Sequence, residues 1–235
     1  MSRFRPGLLP SLLVLALLPT LVWLGFWQLE RSEQKRELLE RQAARQQAAP
    51  VAVERIDLLD DPAYSRVWLQ GRFDAEHSFL LDNRTRDGQV GVELLQPFFD
   101  EPSGRWVLLN RGWIPWPDRR VPPQFDTPEQ PLKLAAWVYA PSREPFILNR
   151  WMSEGWPRLI NHVAPDELWA LLERQGADRE LRLEPGPAAY RADWPVTSMS
   201  PQQHLGYAVQ WFALAAALLA LFIYFGVHQA RRSPA

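Results

Sequence analysis

Two uncharged apolar stretches decide the architecture of this chain: PGLLPSLLVLALLPTLVWLGFWQL at residues 6–29 and LGYAVQWFALAAALLALFIYFGV at residues 205–227. The hydrocarbon core of a bilayer is about 30 Å thick and takes about 20 helical residues, so each stretch is long enough to cross it. The sequence therefore predicts two transmembrane helices. Both chain termini would lie on one side of the membrane, and the residues between the helices would form a domain on the other side.

The spans and the charged segment after the first one set the predicted domain boundaries. The segment at 30–49 is rich in Glu, Arg, Gln and Ala, which favour helix, and it precedes Pro50, which disfavours helix at the residue before it. We interpret it as a solvated helical stalk; a specific docking face is the alternative. The predicted parts are the N-terminal tail and first transmembrane helix (1–29), the stalk (30–49), a β-rich domain (50–203), the second transmembrane helix (204–228) and the C-terminal tail (229–235).

The basic residues next to the spans predict the orientation. The first span lacks the small-residue cleavage site of a signal peptide, so we expect a retained anchor. Basic residues lie on the terminal side of both spans: Arg3, Arg5, Arg231 and Arg232. The positive-inside rule then places both termini in the cytoplasm. A basic cluster at residues 31–36 favours the opposite orientation, but long loops cross membranes largely regardless of their charge. We therefore expect the central domain in the periplasm of a bacterium or the intermembrane space of a mitochondrion.

The composition and the missing motifs exclude several classes of function. Lysine and arginine total 26, aspartate and glutamate total 27, and the formal charge of −1 provides no basic surface for nucleic acid. The chain has no cysteine, which excludes disulfides, cysteine-bound zinc and iron–sulfur clusters. The sequence contains no P-loop, no G-x-S-x-G and no H-E-x-x-H. No spacing of serine, aspartate and histidine indicates a hydrolase, so we predict a protein that is not an enzyme.

Short apolar runs separated by turn residues fill the central region. They predict strands at 66–73, 78–81, 90–99, 106–109, 132–139, 157–163 and 181–183. A turn is expected at 82–84, an irregular proline-rich loop at 115–131 and a helix at 166–175. The predicted fold is an α+β membrane protein, in which two transmembrane helices flank an antiparallel β-rich domain with one or two short helices. The sequence does not decide between an open sheet and a small closed barrel.

His204 is the one histidine whose position suggests chemistry, because it stands directly before the second apolar stretch. An imidazole at such a boundary can ligate haem iron while apolar neighbours cover the macrocycle. Tyr207 and Trp211 follow one and two helical turns later, roughly on the same face. The alternative is an interfacial histidine beside an aromatic belt, which membrane helices often carry.

Arg111 lies in the unusual run NRGWIP at 110–115. An arginine leaving a strand could present a fixed cation to a carboxylate such as a haem propionate. The alternative is structural, with Arg111 stacked on Trp113 and Gly112 permitting a tight bend.

Five motifs, in order along the chain, resemble the surfeit locus protein one family of cytochrome c oxidase assembly factors. They are GFWQLER at 25–31, GRF at 71–73, LDNR at 81–84, VLLNRGWIP at 107–115 and HLGYAVQWF at 204–212. The resemblance covers essentially the whole chain. It is incomplete before His204, where the family often has asparagines and this sequence has Gln202 and Gln203.

The resemblance implies a role in placing haem a into the catalytic subunit of cytochrome c oxidase. In some bacterial members the histidine that matches His204 has been linked to haem binding. By this resemblance His204 would ligate haem iron, Tyr207 and Trp211 would contact the ring, and Arg111 would meet a propionate. The expected partners are the oxidase catalytic subunit, haem a synthase and membrane lipid.

The expected location is the cell inner (plasma) membrane, with two passes and a periplasmic domain. A haem-independent scaffold that stabilises an oxidase subunit during assembly is the alternative function.

Overall fold

Two long helices precede and follow the β-rich part of the chain. The computed structural model describes residues 6–140, 149–194 and 199–232, with backbone alone at 230–232. Helix α1 is Leu8–Gln47 and helix α3 is Pro201–Arg232. Both contain segments long and apolar enough to cross a membrane, Leu8–Gln47 and Pro201–Gln229. The orientation was predicted from arginines 3, 5, 231 and 232, and the side chains of these residues lie outside the described part of the chain.

The chain divides into a helical unit and a β-rich unit. The helical unit takes the described residues of 1–41 and 195–235, and the β-rich unit takes those of 42–194. Within the helical unit α1 and α3 run antiparallel, since Gly25 lies against Phe212 while Ser32 Oγ donates a hydrogen bond of 2.9 Å to the Pro201 carbonyl. The two long apolar helices predicted from the sequence are confirmed.

The described residues of the β-rich unit form eight strands and two short helices. The strands are β1 (Val51–Ala52), β2 (Arg66–Phe73), β3 (Phe79–Arg86), β4 (Gln89–Asp100), β5 (Arg105–Pro115), β6 (Leu132–Val138), β7 (Arg158–Ile160) and β8 (Gly176–Leu183). A 3-10 helix, Val53–Leu58, follows β1, and helix α2, Pro165–Leu171, precedes β8. The predicted β-rich fold with one or two short helices is confirmed.

Five of the strands close into a barrel, in the order β2-β6-β8-β5-β4. The ring closes where β4 returns to β2 through the pairs Gly71–Asp100 and Phe73–Phe98. Four of the five pairings around the ring are antiparallel, as expected, and β5–β8 is parallel. Strands β1 and β7 each add a short parallel pair outside the ring.

Alternating burial along the strands builds the barrel core. Along β2 every second residue is buried, so Val67, Leu69 and Phe73 point inward. They meet Phe98 and Leu109 from the neighbouring strands. A second core lies under α2, where Leu168 and Trp169 pack with Phe79, Leu81, Leu95, Leu108 and Ile160.

Several predicted boundaries are wrong. Strand β3 does not end at residues 82–84, because a bulge between Leu81 and Arg84, with Asn83 in the left-handed region, lets pairing continue to Arg86. Strand β5 runs to Pro115 and β8 begins at Gly176, so both are longer than predicted, and α2 is shorter. Pairing partners distant in sequence set these lengths, whereas the local pattern does not encode them.

Candidate functional site

His204 and Gln28 form a polar pair inside the helical unit. His204 lies in the first turn of α3 and is 8% exposed. Its Nδ1 lies 2.7 Å from Oε1 of Gln28 on α1. Because an amide oxygen only accepts, Nδ1 donates its hydrogen and Nε2 keeps the lone pair. Nε2 has no hydrogen-bond partner among the described residues.

Two further contacts between α1 and α3 lie on either side of this pair. Ser32, one turn after Gln28, bonds the Pro201 carbonyl. Gly25, about one turn before Gln28, faces Phe212, and a Cβ atom there would lie 2.6 Å from the Phe212 ring. Glycine therefore allows the helices to approach closely, and the contacts together hold Gln28 within reach of the imidazole.

Tyr207 and Trp211 lie on α3 with His204, one and two turns further along, as the sequence predicted. Tyr207 is 44% exposed. Trp211 is partly buried, and its Nε1 is enclosed without a hydrogen-bond partner in the described part of the chain. Their contact with a ligand ring stays a prediction.

The donor set fits haem better than a free metal ion. No cluster of three or more His, Asp or Glu side chains that could bind a metal occurs in the described residues. Haem iron takes four nitrogens from its macrocycle, so a single protein side chain is enough to attach it. Histidines that ligate metals usually donate their second ring nitrogen to an acceptor, which orients the ring. His204, held through Nδ1 and without a partner for Nε2 among the described residues, meets both requirements.

Arg111 is a buried cation inside the β-rich unit, 3% exposed. Nε donates to the Ala188 carbonyl at 2.8 Å, and one terminal nitrogen donates to Gln96 Oε1 at 2.6 Å and to the Asp126 carbonyl at 2.7 Å. The guanidinium also lies over the Phe73 ring, 4.7 Å from its centre. Burial lowers the pKa of Arg111 from its ordinary value.

These contacts match the structural alternative for Arg111, but the expected stacking on Trp113 is wrong. Besides Phe73, the ring stacked with Arg111 is Tyr190, at 5.1 Å. Gly112 has a positive φ, which glycine adopts without strain. It also allows close approach, because a Cβ there would lie 2.8 Å from the Arg191 carbonyl oxygen. The propionate role of Arg111 stays a prediction.

Arg111→Met is expected to destabilise the protein by about 3 kcal/mol, because two buried acceptors and one partly buried acceptor lose their donor. For a chain of this size the unfolding midpoint should fall by roughly 6–12 °C. Thermal unfolding followed by circular dichroism in detergent measures it. Arg72→Met, at an exposed position of β2, is the matched control and should shift the midpoint little. Equal shifts for the two variants would contradict the structural role of Arg111.

Sequence reasoning missed two polar groups. Gln28 could have been found, since a polar amide in an otherwise apolar span usually faces another helix. The second group is a nearly buried carboxylate, Asp74, whose Oδ2 accepts hydrogen bonds from His77 Nδ1 at 2.7 Å and from Arg174. Burial raises the pKa of Asp74, but hydrogen bonds from Arg174 and His77 outweigh it and hold the pKa below its ordinary value.

This lowered pKa predicts an acid dependence of stability. Asp74 is ionised at lower pH in the folded state than in the unfolded chain, so its contribution is complete above about pH 4 and is lost as pH falls through the folded value. Wild type should therefore lose more stability than Asp74→Asn between about pH 5 and about pH 2. Unfolding midpoints across that range measure the difference, with the exposed Asp60→Asn as control. Parallel curves for wild type and Asp74→Asn would contradict the assignment.

Comparison with known proteins connects this geometry to a family. The sequence profile of the SURF1 family matches residues 15–216, which include Gln28, His204 and Trp211. The chain is 25% identical over 236 residues to surfeit locus protein 1 of Takifugu rubripes, covering 86% of this chain and 91% of that protein. It is 24% identical over 227 residues to a SURF1-like protein of Monosiga brevicollis, covering 86% of this chain and 81% of that one.

The yeast relative matches over a shorter segment. The chain is 29% identical over 129 residues to the cytochrome oxidase assembly protein SHY1 of Saccharomyces cerevisiae, and the match covers 52% of this chain. It spans 33% of the length of SHY1.

Proposed function

The chain belongs to the SURF1 family, and on that premise we propose that it is a membrane-anchored assembly factor for cytochrome c oxidase that binds haem a and delivers it to the catalytic subunit. The name of the yeast relative supports the oxidase assembly role. The proposal that the protein binds haem is supported by residues of this chain and not by the name of a relative. Binding and release of a cofactor convert no substrate into a product, so the proposed role is not enzymatic.

The observation that supports haem binding is the hydrogen bond between Gln28 and His204. Haem a, when bound, supplies iron with four equatorial nitrogens. His204 Nε2 would provide the protein nitrogen for that iron, and Gln28 Oε1 would hold the imidazole in the required tautomer. Ser32 and Gly25 keep α1 and α3 close enough for this hydrogen bond.

The position of His204 along α3 suits a carrier of a hydrophobic cofactor. The apolar stretch begins at Leu205, directly after His204, so the imidazole stands where apolar sequence meets polar sequence. A haem held there would lie where apolar sequence meets polar sequence, which suits its apolar ring and its charged carboxylates. The proposed location is the inner membrane, with both termini cytoplasmic and the β-rich domain periplasmic. Haem a synthase is the proposed source of the haem.

A haem-independent scaffold is the second candidate, and the small residues of α3 favour it. Ala213, Ala216, Ala217 and Ala220 are exposed and have the spacing that lets another membrane helix approach closely. Here α3 would hold an oxidase subunit during assembly, and His204 would serve only to join α3 to α1.

Complementation distinguishes the two candidates. In cells lacking their own family member, the wild-type chain is expected to restore both the amount of the oxidase catalytic subunit and its haem a content. If the chain delivers haem, His204→Ala should still co-purify with the subunit while the haem a content stays low. Gln202→Ala, at a nearby exposed position, is the control and should behave as wild type. Full haem a content with His204→Ala would favour the scaffold.

A further inference from the structure

Lys35 extends the face of α1 that contacts α3. Gln28, Ser32 and Lys35 follow one another at spacings of four and three residues, so they lie on one side of the helix. Gln28 accepts a hydrogen bond from His204, and Ser32 donates one to the Pro201 carbonyl. Lys35 lies one turn, or about 5 Å, beyond Ser32, which places it next to the start of α3.

The Lys35 ammonium is a cation without a carboxylate partner. The residue is partly buried, and it makes no ion pair or hydrogen bond in the described part of the chain. The glutamates of this segment, at 30, 33, 37 and 40, are all exposed, and two of them pair with Arg36 instead. A partly desolvated cation gains stability from an anion that offsets its lost hydration.

The positive charge at this end of the helix pair reaches His204. The charges of Lys35 and Arg31 both act on the imidazole. Arg31 is engaged on its own helix, where its guanidinium lies 5.7 Å from the centre of the Trp27 ring. The positive end of the α3 dipole lies here as well, because α3 starts beside Ser32. The surroundings of the imidazole therefore favour an anionic group.

We propose that Lys35 binds a carboxylate of the haem held at His204 and thereby makes the site selective for haem with free propionate groups. This inference rests on the proposed haem-binding function. Haem a has two propionates, which are ionised at neutral pH and require donors or cations where they leave water. The ammonium has three donors on a flexible stem, so it can meet a carboxylate without the fixed geometry of a guanidinium.

The place of Lys35 in the sequence suits a carboxylate. The first apolar stretch ends at Leu29, and Lys35 follows it by six residues, in a segment rich in charge. A carboxylate bound there keeps part of its hydration, so its desolvation penalty is smaller than inside the apolar stretch. His204 directly precedes the second apolar stretch. The two side chains thus provide for a ligand that has both a metal and charged groups.

Soret titrations of the full-length protein, in an uncharged detergent without added lipid, measure the role of Lys35. Lys35→Gln keeps a polar side chain but removes the charge, so haem a should bind roughly three- to tenfold more weakly than to wild type. Lys35→Arg restores the charge and should bind haem a nearly as tightly as wild type. Arg36→Gln removes the adjacent, exposed cation and is the matched control, which should keep the wild-type affinity.

Esterified haem tests whether the partner of Lys35 is a carboxylate. Haem a dimethyl ester keeps the iron and the ring but has no ionised group, so wild type and Lys35→Gln should bind it with equal affinity. Equal binding of haem a itself by these two proteins is the result expected if Lys35 holds an anionic lipid headgroup. That result, or a loss for the ester as large as for haem a, overturns the role of Lys35 and leaves the proposed haem-binding function standing. Absence of any His204-dependent Soret band overturns both.

Discussion

His204→Ala is expected to leave the purified protein without haem. Cells that make haem a should yield wild-type protein with a Soret band, and the variant should show none, because the proposed site has a single protein nitrogen for the iron. The loss is expected to be complete because the remaining apolar contacts position the macrocycle but do not bond to the metal. The measurement is the absorption spectrum of detergent-purified protein, normalised to protein concentration.

His228→Ala is the matched control for this experiment. His228 lies near the other end of the same helix, and its ring stacks on Tyr224 with the ring centres 5.8 Å apart. Removing it deletes the same type of side chain from α3 and leaves the Gln28–His204 pair untouched, so the Soret band should remain. Equal loss of haem in both variants would show that the effect of His204→Ala comes from general damage to the helix.

Gly71→Val is expected to prevent the barrel from closing. Gly71 pairs with Asp100 of β4 and with Leu132 of β6, so it lies where the ring closes. A Cβ atom at this position would lie 1.9 Å from the Phe99 carbonyl oxygen, a backbone atom that cannot move without shifting β4. The strands must separate to relieve this overlap, at a cost of about 4 kcal/mol or more.

The measurement for Gly71→Val is the yield of folded protein together with its circular dichroism spectrum. The variant should accumulate poorly and lose β-sheet signal. Gly186→Val is the control, because a Cβ there meets only the Glu184 carbonyl oxygen, at an ordinary 3.8 Å. A folded Gly71→Val variant with wild-type thermal stability would contradict the described closure.

Local patterns were enough to predict the two spans, most strands and one helix. The two spans are long uncharged apolar stretches, and no other segment of this chain has one. The alternation of apolar and polar residues in β2 predicts one buried and one exposed face. Barrel closure was left open, because it depends on pairs such as Gly71–Asp100 and Trp106–Gly176, which join segments far apart in the sequence. Such pairings leave no periodic signature in the sequence.

The candidate site shows the same division between local and distant information. The common face of His204 and Trp211 follows from helical spacing, whereas the contact with Gln28 joins the two ends of the chain. Arg111 is the clearest example, because its acceptors belong to residues 96, 126 and 188, which are distant in the sequence. The sequence alone therefore could not decide whether Arg111 binds a ligand carboxylate or has a structural role. The unpartnered nitrogen of Trp211 is likewise a property of packing.

The most direct test of haem binding by His204 detects the bond between its nitrogen and the iron. Protein labelled with ¹⁵N in the histidine rings and carrying ferric haem a is studied by electron–nuclear double resonance. We predict a ¹⁵N coupling from one axial imidazole in wild type and in His228→Ala. Haem that is bound without this coupling, or a coupling that persists in His204→Ala, would contradict the account.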